Sequence, residues 1–288
     1  MHSKSDVGSD LMTRDERIQL LAAGLIALPV DLVDIARANH SAFKRVDYTV
    51  NRKNLPLRDK ARKFDDAVMG EIATNALISY LRKNFAIPAI SYEDLRVDSS
   101  QINDSGWDVL LLPTIGIDGN LGGKAQLPIV TMSVKSSRIP KNDKDDLVSA
   151  LSRWDFKTLK YHEDSIREDL QADIWIQVYY PLQESSADNL DWNAAQDVLN
   201  GESLSKEGSA TLYRALRLHD RFAHPTVVGL TTSQKIIDYV SLCSNKTDYM
   251  YVGGEKKPIW PSKIAAIGQP LANLPAIVKA ATGSIADR

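Results

Sequence analysis

Apolar positions change their period along the chain, and the changes divide it into elements. Between Asp15 and Asn39, residues Ile18, Leu21, Leu25 and Leu28 recur near helical spacing, which predicts a helix kinked or divided at Pro29. A longer helix is predicted from about Leu57 to Phe85, where Phe64, Val68, Ile72, Leu77, Ile78 and Leu81 form a stripe that ends before Pro88. The period then falls to two. Ile90 to Val97 reads as a short strand, Trp107 to Leu112 as a second and Leu127 to Lys135 as a third. The last two flank the turn-rich link PTIGIDGNLGGKAQ and predict a hairpin with a long loop. A helix is expected from about Asp143 to Leu170, carrying Leu147, Leu151, Trp154 and Leu159. ADIWIQVYYP is apolar at nearly every position, as in a strand buried on both faces. Residues 183–209 are polar and read as an insertion, Ala210 to Phe222 as a helix, TVVGL as a short strand and TTSQKIIDYVSL as a capped helix. From Tyr249 the tail is mixed.

The central order of helix, three strands, helix and strand predicts an α/β fold in which helices flank a mixed central sheet. The core is expected over residues 57–182, with an N-terminal helical and basic extension over 1–56 and C-terminal additions over 183–288 packed on it. A chain of 288 residues is long enough to bury this as one domain. Its 43% hydrophobic and 25% charged residues are ordinary for a soluble protein. The single cysteine, Cys243, excludes an internal disulfide and a cysteine-based zinc cluster, and fits a reducing, cytoplasmic setting. The first residues do not read as a signal peptide, and LLAAGLIALPVDLV is too short to span a membrane, so no membrane partner is expected.

Charge alters this picture locally. The net charge of −2 does not mark a nucleic-acid binder, yet residues 43–63 hold eight basic residues against two acidic ones, an excess suited to a polyanion. Lys44, Arg45, Arg52 and Lys53 in this stretch, with Ser136, Ser137, Arg138 and Lys141 after the third strand, are the expected phosphate contacts. GNLGGK is not a phosphate-binding P-loop, because Asp118 stands at the first glycine position and Ala125 follows Lys124.

The chemistry concentrates in VTMSVKSS. Val130, Met132 and Val134 share one face of this strand, and Thr131, Ser133 and Lys135 share the other. An apolar strand tolerates a lysine only where the ammonium reaches water or a partner. Asp108, on the hairpin partner, is such a partner by cross-strand pairing. A plainer reading makes Asp108 a strand cap or a partner of Arg138, and Lys135 an edge lysine that blocks aggregation. A Ser133–Lys135 nucleophile pair is disfavoured, since a flat strand exposes a nucleophile poorly and no oxyanion-hole loop is evident.

Residues from about 57 to 182 resemble the PD-(D/E)XK nuclease core, and more closely type II restriction endonucleases. Asp108 in GWDVLLLP matches the first acid, Ser133-Val134-Lys135 the acid-X-lysine element 27 positions on, and Glu71 in VMGEIATNAL the helix glutamate. Two departures stand out: Trp107 replaces the preceding proline, and Ser133 stands where the second acid is expected. The resemblance then draws the lost carboxylate from Glu71, or else from Asp143, Asp145 or Asp146. It implies a Mg²⁺-dependent, sequence-specific endonuclease of double-stranded DNA, acting as a homodimer. Asp108 and Glu71 would bind the metal, Lys135 would position and activate water, and Ser133 would complete the catalytic set. A repair or structure-specific nuclease, and a DNA-binding protein that has lost activity, remain alternatives.

Overall fold

The computed structural model describes residues 12–49, 58–96, 106–112, 129–139, 148, 151–180, 189–201, 203–252 and 255–286. The first predicted helix is divided, as Pro29 requires. Helix α1 (Arg14–Ala23) carries a capping box between Thr13 and Glu16, and α2 (Leu32–Arg45) carries one between Asp31 and Asp34. Between them Ile26–Ala27 forms a short strand, β1, which the helical pattern had concealed. Helix α3 (Lys60–Phe85) is the long predicted helix, started by the Asp59 side chain and ended at Ala86 in the left-handed region. Phe64, Val68, Ile72, Leu77 and Leu81 are all buried.

Strand β2 (Ala89–Ser91) is shorter than expected. The Ser91 hydroxyl accepts from the Glu93 amide and turns Tyr92–Leu95 into one helical turn, α4. Strands β3 (Val109–Leu111) and β4 (Val130–Arg138) then pair antiparallel, with Val109 opposite Met132, so the predicted hairpin partners are joined. The GNLGGK link lies outside the described residues.

The predicted helix over 143–170 does not run its full length. Val148 and Leu151 are helical, but from Arg153 to Ser165 the chain is irregular, and Ile166–Asp169 makes a single helical turn. Alternation prevails over the helical period here: Trp154, Phe156 and Thr158 face inward, and Trp154 stacks on Tyr179 with ring centroids 4.1 Å apart. This segment leads to β5 (Ile174–Tyr180), buried at every position and parallel to β4. The polar stretch read as an insertion forms helix α5 (Trp192–Leu199) and the start of α6 (Lys206–Ala215), with α7 (Leu218–Phe222) following. Strand β6 (Thr226–Thr232) and α8 (Ser233–Leu242) match the expected strand and capped helix, and the Thr232 hydroxyl accepts from the Lys235 amide. The tail supplies a separate hairpin, β7 (Asp248–Val252) with β8 (Glu255–Ile259), and helix α9 (Leu274–Ala286).

These strands make one mixed six-stranded sheet in the order β1-β6-β5-β4-β3-β2, in which only β4 and β5 are parallel. It draws strands from all three sequence regions. One face, with Met132, Val134, Ile174, Ile176 and Val178, packs against α3; the other, with Trp175 and Tyr179, packs against Leu151, Phe156, Ile236 and Trp260. Among the described residues no helix is long and apolar enough to cross a membrane.

Candidate functional site

The pairing of β3 with β4 ends just before the residues of interest. The Asp108 amide donates to Met132 O at 2.8 Å, and β4 then runs on to Arg138 paired with β5. Beyond Met132 the other flank of β4 has no paired strand among the described residues. Alternate residues of a strand turn their amide and carbonyl to the same side. Val134 N and Ser136 O therefore lie on the same flank as Met132 O.

Asp108 closes the first part of that flank. Its Oδ2 accepts from Val134 N at 2.7 Å and from Ser133 Oγ at 3.1 Å, and lies 3.7 Å from Lys135 Nζ. The sequence expectation that Asp108, Ser133 and Lys135 come together is met. Both charged side chains are about one-third exposed (38% for Asp108, 35% for Lys135). An ion pair so wet contributes little stability, roughly 0–1 kcal/mol, and its ammonium remains open to a further anion. Lys135 also lies 5.5 Å from the centroid of the Trp175 ring, which supports it from below. Ser133 is fully buried. It serves the site through Asp108, by fixing the carboxylate, and has no surface of its own to offer a ligand.

Gly106 sets the approach to Asp108. Its φ of +72° lies in the region that favours glycine, and a Cβ there would fall 2.3 Å from Gln171 Oε1. Trp107 then packs edge-on against Tyr92, centroids 4.9 Å apart.

Glu71 reaches the same place from α3. It lines one small pocket with Arg45, Ser91, Glu93, Arg96 and Asp108. Only 6% of Glu71 is exposed. Burial pushes its pKa up to about 7; Arg45 opposes the rise, and the negative charges of Glu93 and Asp108 add to it. Arg45 holds Glu71 in a short ion pair and lies 3.5 Å from Glu93, which is also 3.4 Å from Arg96. Burial disfavours the Arg45 charge, but Glu71, Glu93 and Asp108 outweigh it and raise its pKa. Glu93 was not foreseen. The signal was present in Ser91-Tyr92-Glu93, a serine before two acids in DLR-like polar context, which marks a helix start and not a strand interior.

The expected phosphate contacts divide. Arg45 is committed to carboxylates, while Lys44 lies beside it in the last turn of α2. Ser137 is buried, and Ser136 faces α3 near Gly70. Arg138 does not pair with Asp108. It joins Asp65 and lies 3.5 Å from Asp66, and Asp65 is also held by buried Arg221 through two bonds of 2.7 Å. Arg52, Lys53, Lys141, Asp143, Asp145 and Asp146 lie outside the described residues.

All candidate metal ligands here are carboxylate oxygens, the donors a hard cation such as Mg²⁺ takes. Asp108 and Glu71 share a pocket, and the bonds described for Asp108 all converge on Oδ2. Among the described residues no three side chains of the His, Cys, Asp and Glu types converge as a ready metal cluster. Mg²⁺ is commonly held by one or two carboxylates, with water and substrate phosphate completing its shell, so the pair Asp108 and Glu71 fits it.

No protein-family model, curated protein or solved structure matches the chain.

Proposed function

We propose that this protein is a Mg²⁺-dependent, sequence-specific endonuclease of double-stranded DNA, built on a restriction-endonuclease-like core. The observation that carries the reading is the placement of Asp108 and Lys135, 3.7 Å apart and about one-third exposed, where β4 runs on beyond its pairing with β3. The long helix α3 bringing Glu71 to the same pocket supports it.

Asp108 and Glu71 would hold the metal. Bound there, Mg²⁺ would supply Lewis acidity toward the scissile phosphate and lower the pKa of a bound water. Lys135 orients the attacking water and places its positive charge where the phosphate becomes more negative. Ser133 and the Val134 amide hold the Asp108 carboxylate in place by hydrogen bonds to one oxygen. Arg45 balances the surplus of acids and holds Glu71 beside the place where the metal would bind. A homodimer would place two such sites on the strands of a palindrome, in the cytoplasm where the DNA is.

A second reading is favoured by one observation. Ser133 replaces an acid and is sealed from solvent, so the described residues offer a sparse metal shell. On that reading the protein binds DNA, with steep salt dependence, and leaves it intact.

Incubation with a fully sequenced plasmid, in Mg²⁺ and in EDTA, tests the choice. Discrete, Mg²⁺-dependent fragments support the proposal. Nicking or smearing without a fixed site moves the function to repair or structure-specific cleavage. Intact DNA across several methylation states overturns catalysis.

A further inference from the structure

The irregular segment that follows Leu151, where the expected second core helix does not continue, brings another lysine to the site. The Lys157 amide donates to Gln177 Oε1 at 3.2 Å, which places its backbone over β5, and Gln177 Nε2 in turn donates to Lys135 O at 2.9 Å. The Lys157 ammonium, however, donates to Ser136 O at 3.4 Å. Ser136 O lies on the flank of β4 that no described strand pairs, the flank whose Val134 amide holds Asp108. The side chain therefore reaches across β4 to a point two residues beyond the Asp108 anchor, roughly 7 Å along the strand.

Its surroundings are cationic. Lys135 and Arg138 act on it, and the nearby acid, Asp66, already serves Arg58 at 2.6 Å and Arg138 at 3.5 Å. Burial, with Lys135 and Arg138 adding to it, lowers the Lys157 pKa to about 8, while Asp66 opposes the fall. The ammonium has no carboxylate within ion-pair distance among the described residues. Desolvating a lysine without a counter-ion is costly, and a bound anion removes that cost.

We propose that Lys157 is a phosphate-binding residue that grips the DNA backbone next to the scissile phosphate and sets the strand in register over Asp108 and Lys135. The inference rests on the DNA-cleaving reading above. Three groups on one strand flank would then act in sequence: Asp108 for the metal, Lys135 at the reacting phosphate and Lys157 at its neighbour.

The test is binding of the full-length protein to a DNA duplex carrying the cleavage site, in Ca²⁺ to suppress cleavage, as a function of salt. Wild type, Lys157→Met, Lys157→Arg and the distant control Lys83→Met are compared, and each is checked by thermal melting. Loss of one phosphate contact should weaken binding about tenfold and reduce the slope of log K against log salt by about 0.9. Arginine should restore both, and the Lys83 variant should match wild type. A folded Lys157→Met protein with unchanged affinity and slope overturns the role of Lys157 while leaving the nuclease reading intact. Wild type that neither binds nor cuts DNA overturns both.

Discussion

Glu71→Gln is the most informative single change, because the cost of ionising Glu71 can be read from its surroundings. Its carboxyl is raised from 4.5 to about 7 by burial, against the pull of Arg45. Each pKa unit corresponds to 1.36 kcal/mol, so ionisation in the folded protein costs on the order of 3 kcal/mol relative to the unfolded chain. The folded state binds the extra proton between those two values. Stability from this group is therefore fully present below about pH 4.5 and is lost as pH rises through about 7. Lys157, lowered from 10.5 to about 8, titrates mostly above that window and acts in the opposite sense: stability from it grows as pH rises from its folded toward its unfolded value. Urea unfolding of wild type and Glu71→Gln in EDTA, from about pH 4.5 to pH 7.5, isolates the effect as a difference between two curves. Wild type should lose on the order of 3 kcal/mol relative to the variant across the window. Parallel curves, or a wild type that gains on the variant as pH rises, would refute the assignment. Since a metal ligand must first lose its proton, Mg²⁺-dependent cleavage should rise with pH through the same region.

Other substitutions probe the supports of the site. Arg221→Met removes two of the bonds that hold the buried Asp65 carboxylate and leaves it to Arg138; it should cost about 1.5–3 kcal/mol in urea unfolding. Gly106→Ala should lower both melting temperature and cleavage rate, because the new Cβ strains a φ of +72° and meets Gln171 just before Asp108. Ser133→Ala removes a hydrogen bond to Asp108 and should cost about 1 kcal/mol, with a smaller loss of cleavage than any change at Asp108.

Where local pattern and burial agree, the sequence was legible. Helix α3, the almost wholly apolar β5 and the β3–β4 pairing all follow from their spacing, and with them the meeting of Asp108, Ser133 and Lys135. The failures have tertiary causes. Ile26–Ala27 pairs with Val227 and Thr226, some two hundred residues away, and no local period records that. Trp154, Phe156 and Thr158 mimic a helix in composition but are spent on the second face of the sheet. Glu93 was missed because a cap at Ser91 turns a stretch read as strand into a helical turn, and Lys157 because it reaches the site from an irregular segment held by Gln177. Arg45 and Arg138 were read as phosphate contacts, whereas buried acids on α3 pair with both.

The central claim is that Asp108 and Lys135 act on a phosphodiester, and it is tested most directly by single-turnover cleavage of a mapped site in Mg²⁺ by wild type and Lys135→Ala, beside DNA affinity in Ca²⁺. The account predicts a cleavage rate at least about 10²-fold slower in the variant with affinity changed far less. Equal rates in the two proteins, or a loss of rate matched by an equal loss of binding, would contradict it.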